Sequence, residues 1–423
     1  MITPEEQSWA LHQAHREKLI NKDDTAVLFY NATKLHEKLR AVKGFFIQTG
    51  ALHTVAIKTN PTFGILKEIV KAGFGLEAAS LAEVKMALKA GCEKHKIVFD
   101  SPAKTQSEIN WCVNHLKGAT VNANCLEELH RYPIRTGLHL GLRLNVQRSS
   151  GSADFLDVAG ACSKFGEPIS RFEEILKAAK TFPELNTLHI HQGSQNNNVH
   201  VLLRGIKEVV NTAESLNKKL GKRQITTIDI GGGFAVNYSG DDEWDIARLY
   251  TATEQFFQSV DGRFGVITEL GRYYHAHAGF VAAQCEYVLN RAGARVLITH
   301  AGADLFLREC YVPDARPQTF HLFGSDYKYK GTNKFTGAPG LVESHVAGPL
   351  CFGGDFPAKG IQLPPAQAGD ILVFNDAGAN TLALWSIHCS RAAPSVILYN
   401  VESKSVKLIK KRQTHEQVMR FWQ

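Results

Sequence analysis

Six places along the chain set a reactive side chain or a glycine turn at or near the end of a short apolar run. Lys58 closes HTVAIK, Glu77 lies in FGLEAA, Arg143 in HLGLRLN, His191 closes TLHIH, Gly231 to Gly233 follow TTIDI, and Glu269 lies in GVITEL. A lysine carried into apolar surroundings loses the water that stabilises its charge. Its pKa falls, and it becomes an amine nucleophile suited to Schiff-base chemistry. The glycine run lets backbone N–H groups approach a phosphate, and Arg272 in ELGRYY supplies a guanidinium for the same group. His191 offers a flat ring for a planar cofactor, with a buried core histidine as its plainer alternative. Phe234 and Ala235 follow the glycines, so the GxGxxG spacing of a dinucleotide site is missing.

The runs that carry these residues recur with a fixed rhythm. The eight β-rich stretches are 53–58, 74–79, 96–100, 119–123, 139–145, 187–191, 226–230 and 265–270. Amphipathic helical patterns such as PTFGILKEIVKAG, SLAEVKMALKAG, SRFEEILKAAKTF and VHVLLRGIKEVVNTAESLNKKLG lie between many of them. Alternation of strand and helix implies parallel strands with right-handed crossovers. Eight units point to a closed (β/α)8 TIM barrel rather than an open sheet, and a barrel's active site lies at the C-terminal ends of its strands. After about residue 280 the pattern changes to apolar strand-like runs broken by Gly, Pro and Asp turns, which predicts a second, mostly β domain of sandwich or barrel type. The early run TAVLFYN (25–31) is expected to pair with it. The predicted division is a barrel over 32–280 and a discontinuous β-rich domain over 1–31 plus 281–423. Residues 325–345 read as a long polar loop or hairpin.

Composition narrows the class. The chain has 423 residues, 44% hydrophobic and 21% charged, with a net charge of +7 spread along its length. Only KSVKLIKKR, near residues 404–412, concentrates basic charge, and it alternates like a strand with a solvated face. That excludes the clustered stripe with stacking aromatics of a nucleic-acid binder and leaves a mild attraction for anionic ligands. Eight cysteines show no CxxC pair and no metal-finger spacing, so no metal site is expected. Reduced thiols and a cytoplasmic location are the expectation. The polar, acidic start predicts no signal or transit segment, and no run has the length and apolarity of a membrane span.

Taken in order, VAIKTNP, GLEAASLAEV, FDSPAK, LRLN, SKFG, HIHQGSQ, IDIGGGF, TELGRYY and GPLCFGGD resemble the fold-type III pyridoxal phosphate decarboxylases. That group contains the diaminopimelate, ornithine and arginine decarboxylases, with alanine racemase as a more distant relation of the same barrel. The pattern is nearest to diaminopimelate decarboxylase through HIHQGSQ and GPLC, and the resemblance runs from about residue 25 to 400. It implies pyridoxal 5′-phosphate as cofactor, held as a Schiff base on Lys58, with His191 stacked on the pyridine ring. Ser194, Gly232, Gly233 and Arg272 would bind the phosphate, Glu269 would pair with the ring nitrogen, and Glu77 and Arg143 would line the rim near Lys58. Cys351 would reach across a homodimer interface into the partner's site. The reaction implied is loss of the α-carboxylate of an amino acid as CO2, with reprotonation by Cys351 or Lys58. A carboxylate at the ring nitrogen favours decarboxylation, because the racemase branch carries arginine there. Racemisation on the same fold and a non-catalytic regulatory homologue remain the alternatives.

Three departures from the family pattern bear on the substrate. Phe352 stands where diamino-acid enzymes carry an acid for the distal ammonium, with Asp355 close by as a partial substitute. In AGADLFLRECY, Arg308 aligns with the family's substrate arginine, but Glu309 replaces a proline and the tyrosine moves to Tyr311. The family's GAY, whose tyrosine approaches the cofactor, reads Gly378, Ala379, Asn380, so Asn380 is expected to meet the cofactor through its amide, without the ring packing. The substrate's distal end is therefore expected to be a carboxylate, a neutral polar group or an apolar group.

Overall fold

The structure is a computed structural model that describes residues 2–147, 158–160, 162–238, 246–260, 264–312, 318–334 and 339–423. The first strand, β1 (Ala26–Asn31), is buried along its whole length and stays outside the barrel. The next five strands, β2 (Leu52–Ala56), β3 (Gly75–Ala78), β4 (Ile97–Asp100), β5 (Thr120–Ala123) and β6 (His139–Asn145), pair side by side in parallel. A two-residue strand, β7 (Glu167–Pro168), adds to the end of β6. Then β8 (Leu185–His189), β9 (Thr227–Asp229) and β10 (Gly265–Leu270) continue the round, and β10 closes on β2. Eight parallel strands thus form a closed barrel. Buried runs such as Ile97–Asp100 and Thr120–Ala123 suit strands covered on both faces.

Helices cover the outside where the sequence carries a stripe of apolar residues. Phe63–Lys71 buries Ile65, Leu66 and Ile69, and Val199–Leu220 buries Leu202, Ile206, Val209, Val210, Ala213 and Leu216. The second of these ends at Gly221, whose φ of +66° is the left-handed conformation that glycine takes without a Cβ penalty.

The nine remaining described strands join β1 in one ten-stranded sheet. They are β11 (Gly279–Arg291), β12 (Ala294–Thr299), β13 (Phe320–Phe323), β14 (Tyr329–Thr332), β15 (Val342–Ala347), β16 (Ala358–Leu363), β17 (Ile371–Phe374), β18 (Ser395–Asn400) and β19 (Ser405–Lys410). β1 lies between β11, antiparallel to it, and β18, parallel to it, so the chain's first strand is stitched into the sheet made by its last third. Phe29 stacks on Phe280 across that seam with centroids 4.9 Å apart. The basic run after residue 404 is the edge strand β19. The expected long loop at 325–345 begins as the β13–β14 hairpin, and residues 335–338 within it lie outside the described residues.

Candidate active site

Strand register puts the chemistry in one layer of the barrel. Asp100 lies beside Asn122, Arg143 beside His189, and His189 beside Asp229, while Thr54 is the neighbour of Glu269. A Cβ on Gly141 would meet Asn122 Oδ1 at 1.9 Å, so glycine there is what admits the asparagine. The layer is polar where most barrels are aliphatic. Such a layer is tolerated in a dry interior only when its charges are matched.

Lys58 does not end the strand as expected: β2 stops at Ala56, and the lysine sits in the 3-10 turn Ile57–Thr59. From there its Nζ reaches Glu77 Oε2 at 2.6 Å, with Glu77 fully buried. The expected fall in its pKa is also corrected. Burial pulls Lys58 down, but Glu77, Glu269 and Asp100 together outweigh it and hold the ammonium above its ordinary value. Burial likewise pushes the Glu77 carboxyl up, with Lys58 opposing.

Arg143 Nη1 pairs with Asp100 Oδ2 at 3.1 Å, and its guanidinium lies 4.4 Å from the centre of the Phe165 ring, in the SKFG segment. His191 is driven down to about 3 by burial and by the cations Arg143 and Lys58, so its ring is neutral. Its Nδ1 accepts from the Gly232 N–H at 3.2 Å, which leaves the other nitrogen to carry the proton. The loops after β8 and β9 are zipped together. Asn196 N–H donates to Gly233 O, and Gln195 and Val236 exchange two hydrogen bonds. At Gly232 a Cβ would lie 2.3 Å from Glu269 O, and at Gly233 (φ +88°) it would lie 1.9 Å from Gly193 O. Ser194 is half-buried in the same turn. Arg272 Nη1 donates to the Tyr238 hydroxyl at 3.1 Å, and its buried Nε has no hydrogen-bond partner. One oxygen each of Glu77 and Glu269 is also buried without one. An amine beside a carboxylate, a neutral imidazole face, a glycine cradle with a spare guanidinium donor, and a second buried carboxylate fit a flat, phosphorylated aldehyde cofactor.

Comparison with known proteins agrees with this geometry. Residues 32–276 match the pyridoxal binding domain of the pyridoxal-dependent decarboxylases, and residues 249–378 match their C-terminal sheet domain. The chain belongs to the pyridoxal-dependent decarboxylases. It is a pyridoxal phosphate-dependent enzyme that decarboxylates an amino acid. Among its relatives, the diaminopimelate decarboxylase of Aquifex aeolicus is 25% identical over 405 residues, covering 93% of this chain and 91% of the relative. An L-glutamyl-[BtrI acyl-carrier protein] decarboxylase of Niallia circulans is 24% identical over 377 residues, 86% of each chain. The crystal structure of Helicobacter pylori diaminopimelate decarboxylase complexed with L-lysine superposes with a TM-score of 0.83 at 23% identity, covering 96% of this chain and 99% of that one.

The decarboxylase holds its second set of expected residues on the sheet domain. Asn380 (φ +54°) donates its backbone N–H to Thr59 O at 2.9 Å, and Asn60 Nδ2 donates to Gly378 O at 2.9 Å. The GAN segment is thereby tied to the turn that carries Lys58. Cys351, Phe352 and Tyr311 form a group of their own. Cys351 is exposed, its N–H donates to Cys389 Sγ at 3.4 Å, and the Phe352 and Tyr311 rings stack at 5.2 Å and 15°. Arg308 is half-buried on the short helix Leu307–Tyr311. Asp355 does not face a substrate as expected. Its Oδ1 accepts from Ala303 N–H at 2.5 Å and its Oδ2 from Leu350 N–H at 2.7 Å, and at 3% exposure it braces the loop.

Sequence reading missed Asp100, Asn122, His189 and Asp229, the buried half of the layer. The signal was present in HIH, because period-two alternation puts His189 and His191 on one face of the strand. His189, His191 and Glu269 bring ligand-type atoms within 4.8 Å of one another. His189 is pushed up to about 9, against the pull of burial, by Asp100, Glu269 and Asp229. A protonated imidazole has no lone pair for a metal. Among the described residues no helix is long and apolar enough to cross a membrane.

Proposed function

We propose that the enzyme decarboxylates an amino acid whose distal end is not a simple ammonium: a carboxylate, a neutral polar group or an apolar group. The observation that carries this is the stacked Phe352–Tyr311 pair beside Cys351, with both oxygens of Asp355 committed to backbone. An ammonium facing that pair keeps cation–π compensation of about 0.5–2 kcal/mol. It forgoes a charge-assisted hydrogen bond worth about 1.5–3 kcal/mol. Arg308, one turn from the pair, is the candidate for a distal carboxylate. One relative is named for a glutamyl group on a carrier protein, a name without a second amine, alongside relatives named for diaminopimelate.

The roles assigned are these. Lys58 holds the cofactor, and Glu77 keeps its amine oriented and charged when free. His191 packs its neutral ring on the cofactor face, and Arg143, fixed by Asp100, closes the rim. Ser194, Gly232, Gly233 and Arg272 receive the phosphate, and Asn380 positions the Lys58 turn. Glu269 faces the ring nitrogen. When bound, the cofactor supplies an electron sink for the carbanion left when CO2 departs. Cys351, in a homodimer, delivers a proton to the α-carbon in the partner's site. The test compares kcat/KM for lysine, ornithine and meso-diaminopimelate with acidic and neutral amino acids. Acidic or neutral substrates are expected to lead, and ornithine or lysine ahead by a hundredfold would overturn the reading.

A further inference from the structure

His189 is fully buried at the end of β8, with a carboxylate on either side. Its Nδ1 lies 3.7 Å from Asp100 Oδ1, and its Nε2 lies 3.3 Å from Glu269 Oε2. The three residues come from β4, β8 and β10, so the rigid barrel sets the alignment. Asp100 is itself anchored through its other oxygen by Arg143, which lies beside His189 in register. A histidine needed only to fill the core would be satisfied by one backbone carbonyl. Here a cation is instead threaded between two acids, and one of them faces the cofactor's ring nitrogen.

We propose that Asp100 and His189 are positioning residues that act through Glu269: the His189 ring, held between the two carboxylates by ion pairing rather than by hydrogen bonds, keeps the Glu269 carboxylate ionised and aimed at the ring nitrogen. This rests on the assignment of Glu269 to that nitrogen. The surrounding groups give the charge logic. Asp229 from β9 and Asp100 from β4 are acids close to Glu269, and Glu77 from β3 lies farther round the layer. Arg143 from β6 and Lys58 after β2 are the other cations, and His191 is neutral. Burial alone would raise Glu269, and the His189 imidazolium is the main group that lowers it. Burial and Glu269 push the Asp229 carboxyl well up. Without the imidazolium, burial and Asp100 act on Glu269 with Lys58 left as its distant counter-charge. The carboxyl is then more readily protonated and holds the ring nitrogen's proton less well. No bond is made or broken in this relay; it holds one proton on His189 and keeps another off Glu269.

The experiment follows the visible absorbance of the holoenzyme against pH in wild type, His189→Asn, His189→Gln and Glu269→Gln. The His189 variants are expected to show a pH-dependent change of the spectrum that wild type lacks. Their kcat is expected to fall at least tenfold while KM stays within threefold. Glu269→Gln should alter the spectrum without that added titration. If Glu269→Gln changes the spectrum but the His189 variants titrate as wild type does, the relay is refuted. If Glu269→Gln leaves the spectrum unchanged, the assignment of Glu269 itself fails. Ring-15N NMR of the wild-type holoenzyme at pH 8, where an ordinary imidazole is neutral, is independent of how the variants fold. An imidazolium signal is expected, and its absence overturns the proposal.

Discussion

Gly233→Ala tests whether the two zipped loops form the phosphate cradle. The residue has φ +88°, and a Cβ there would sit 1.9 Å from Gly193 O, a backbone atom that cannot rotate away. Real Cβ contacts are essentially never under 3.0 Å, so the loops after β8 and β9 must part by more than an ångström. Left-handed backbone costs an L-residue about 1–2 kcal/mol, and the forced separation adds about 1–3 kcal/mol. Gly221 is the control: its φ is +66° and its Cβ would meet nothing within 4 Å, so Gly221→Ala carries the backbone cost alone. Equilibrium titration of apoenzyme with pyridoxal phosphate, followed by visible absorbance, is the assay. Gly233→Ala should weaken binding at least tenfold, about 1.4 kcal/mol, while Gly221→Ala lowers only thermal stability. Wild-type cofactor affinity in Gly233→Ala would refute the cradle.

Mixing Lys58→Ala and Cys351→Ala homodimers under subunit exchange should restore up to about a quarter of wild-type activity, because half the dimers would be mixed and each would carry one intact site of two. No recovery would place Cys351 in its own subunit's site or outside the chemistry. The pH dependence of stability should fall away on both sides of neutrality. His275 is held down near 3 by burial, so the unfolded chain takes up a proton near 6.5 that the folded one refuses, and stability is lost as pH falls from about 6.5 to 3. His189, held near 9, works in the opposite sense: its contribution is complete below about 6.5 and is lost as pH rises through 9. Thermal midpoints against pH should show His275→Asn flattening the acid side, and an unchanged acid side would contradict this.

The barrel was legible because eight short β-rich runs alternate with helical stripes, and strand ends are where parallel barrels place their chemistry. Lys58, Glu77, Arg143, His191, the glycines and Glu269 all stood near such ends, and the structure brings them together. What the sequence could not show was how charges pair across strands. The rise in the Lys58 pKa comes from Glu77, nineteen residues on, and the relay of Asp100, His189 and Glu269 joins residues from three strands. Asp355 was misjudged for a related reason. Its motif position suggested a substrate contact, but the backbone N–H groups of Ala303 and Leu350 claim both oxygens, which only the folded loop reveals. Phe352 stacks on Tyr311, a residue of another motif read from the sequence, and that pairing too only the fold reveals.

The central claim is that Lys58 carries the cofactor, and borohydride reduction of the holoenzyme tests it most directly. Reduction converts the Schiff base to a stable secondary amine, and peptide mapping by mass spectrometry then locates the pyridoxyl group. The Glu77 contact at 2.6 Å and the glycine cradle across the barrel mouth predict the label on Lys58. A label on any other lysine, or on none, would contradict the account.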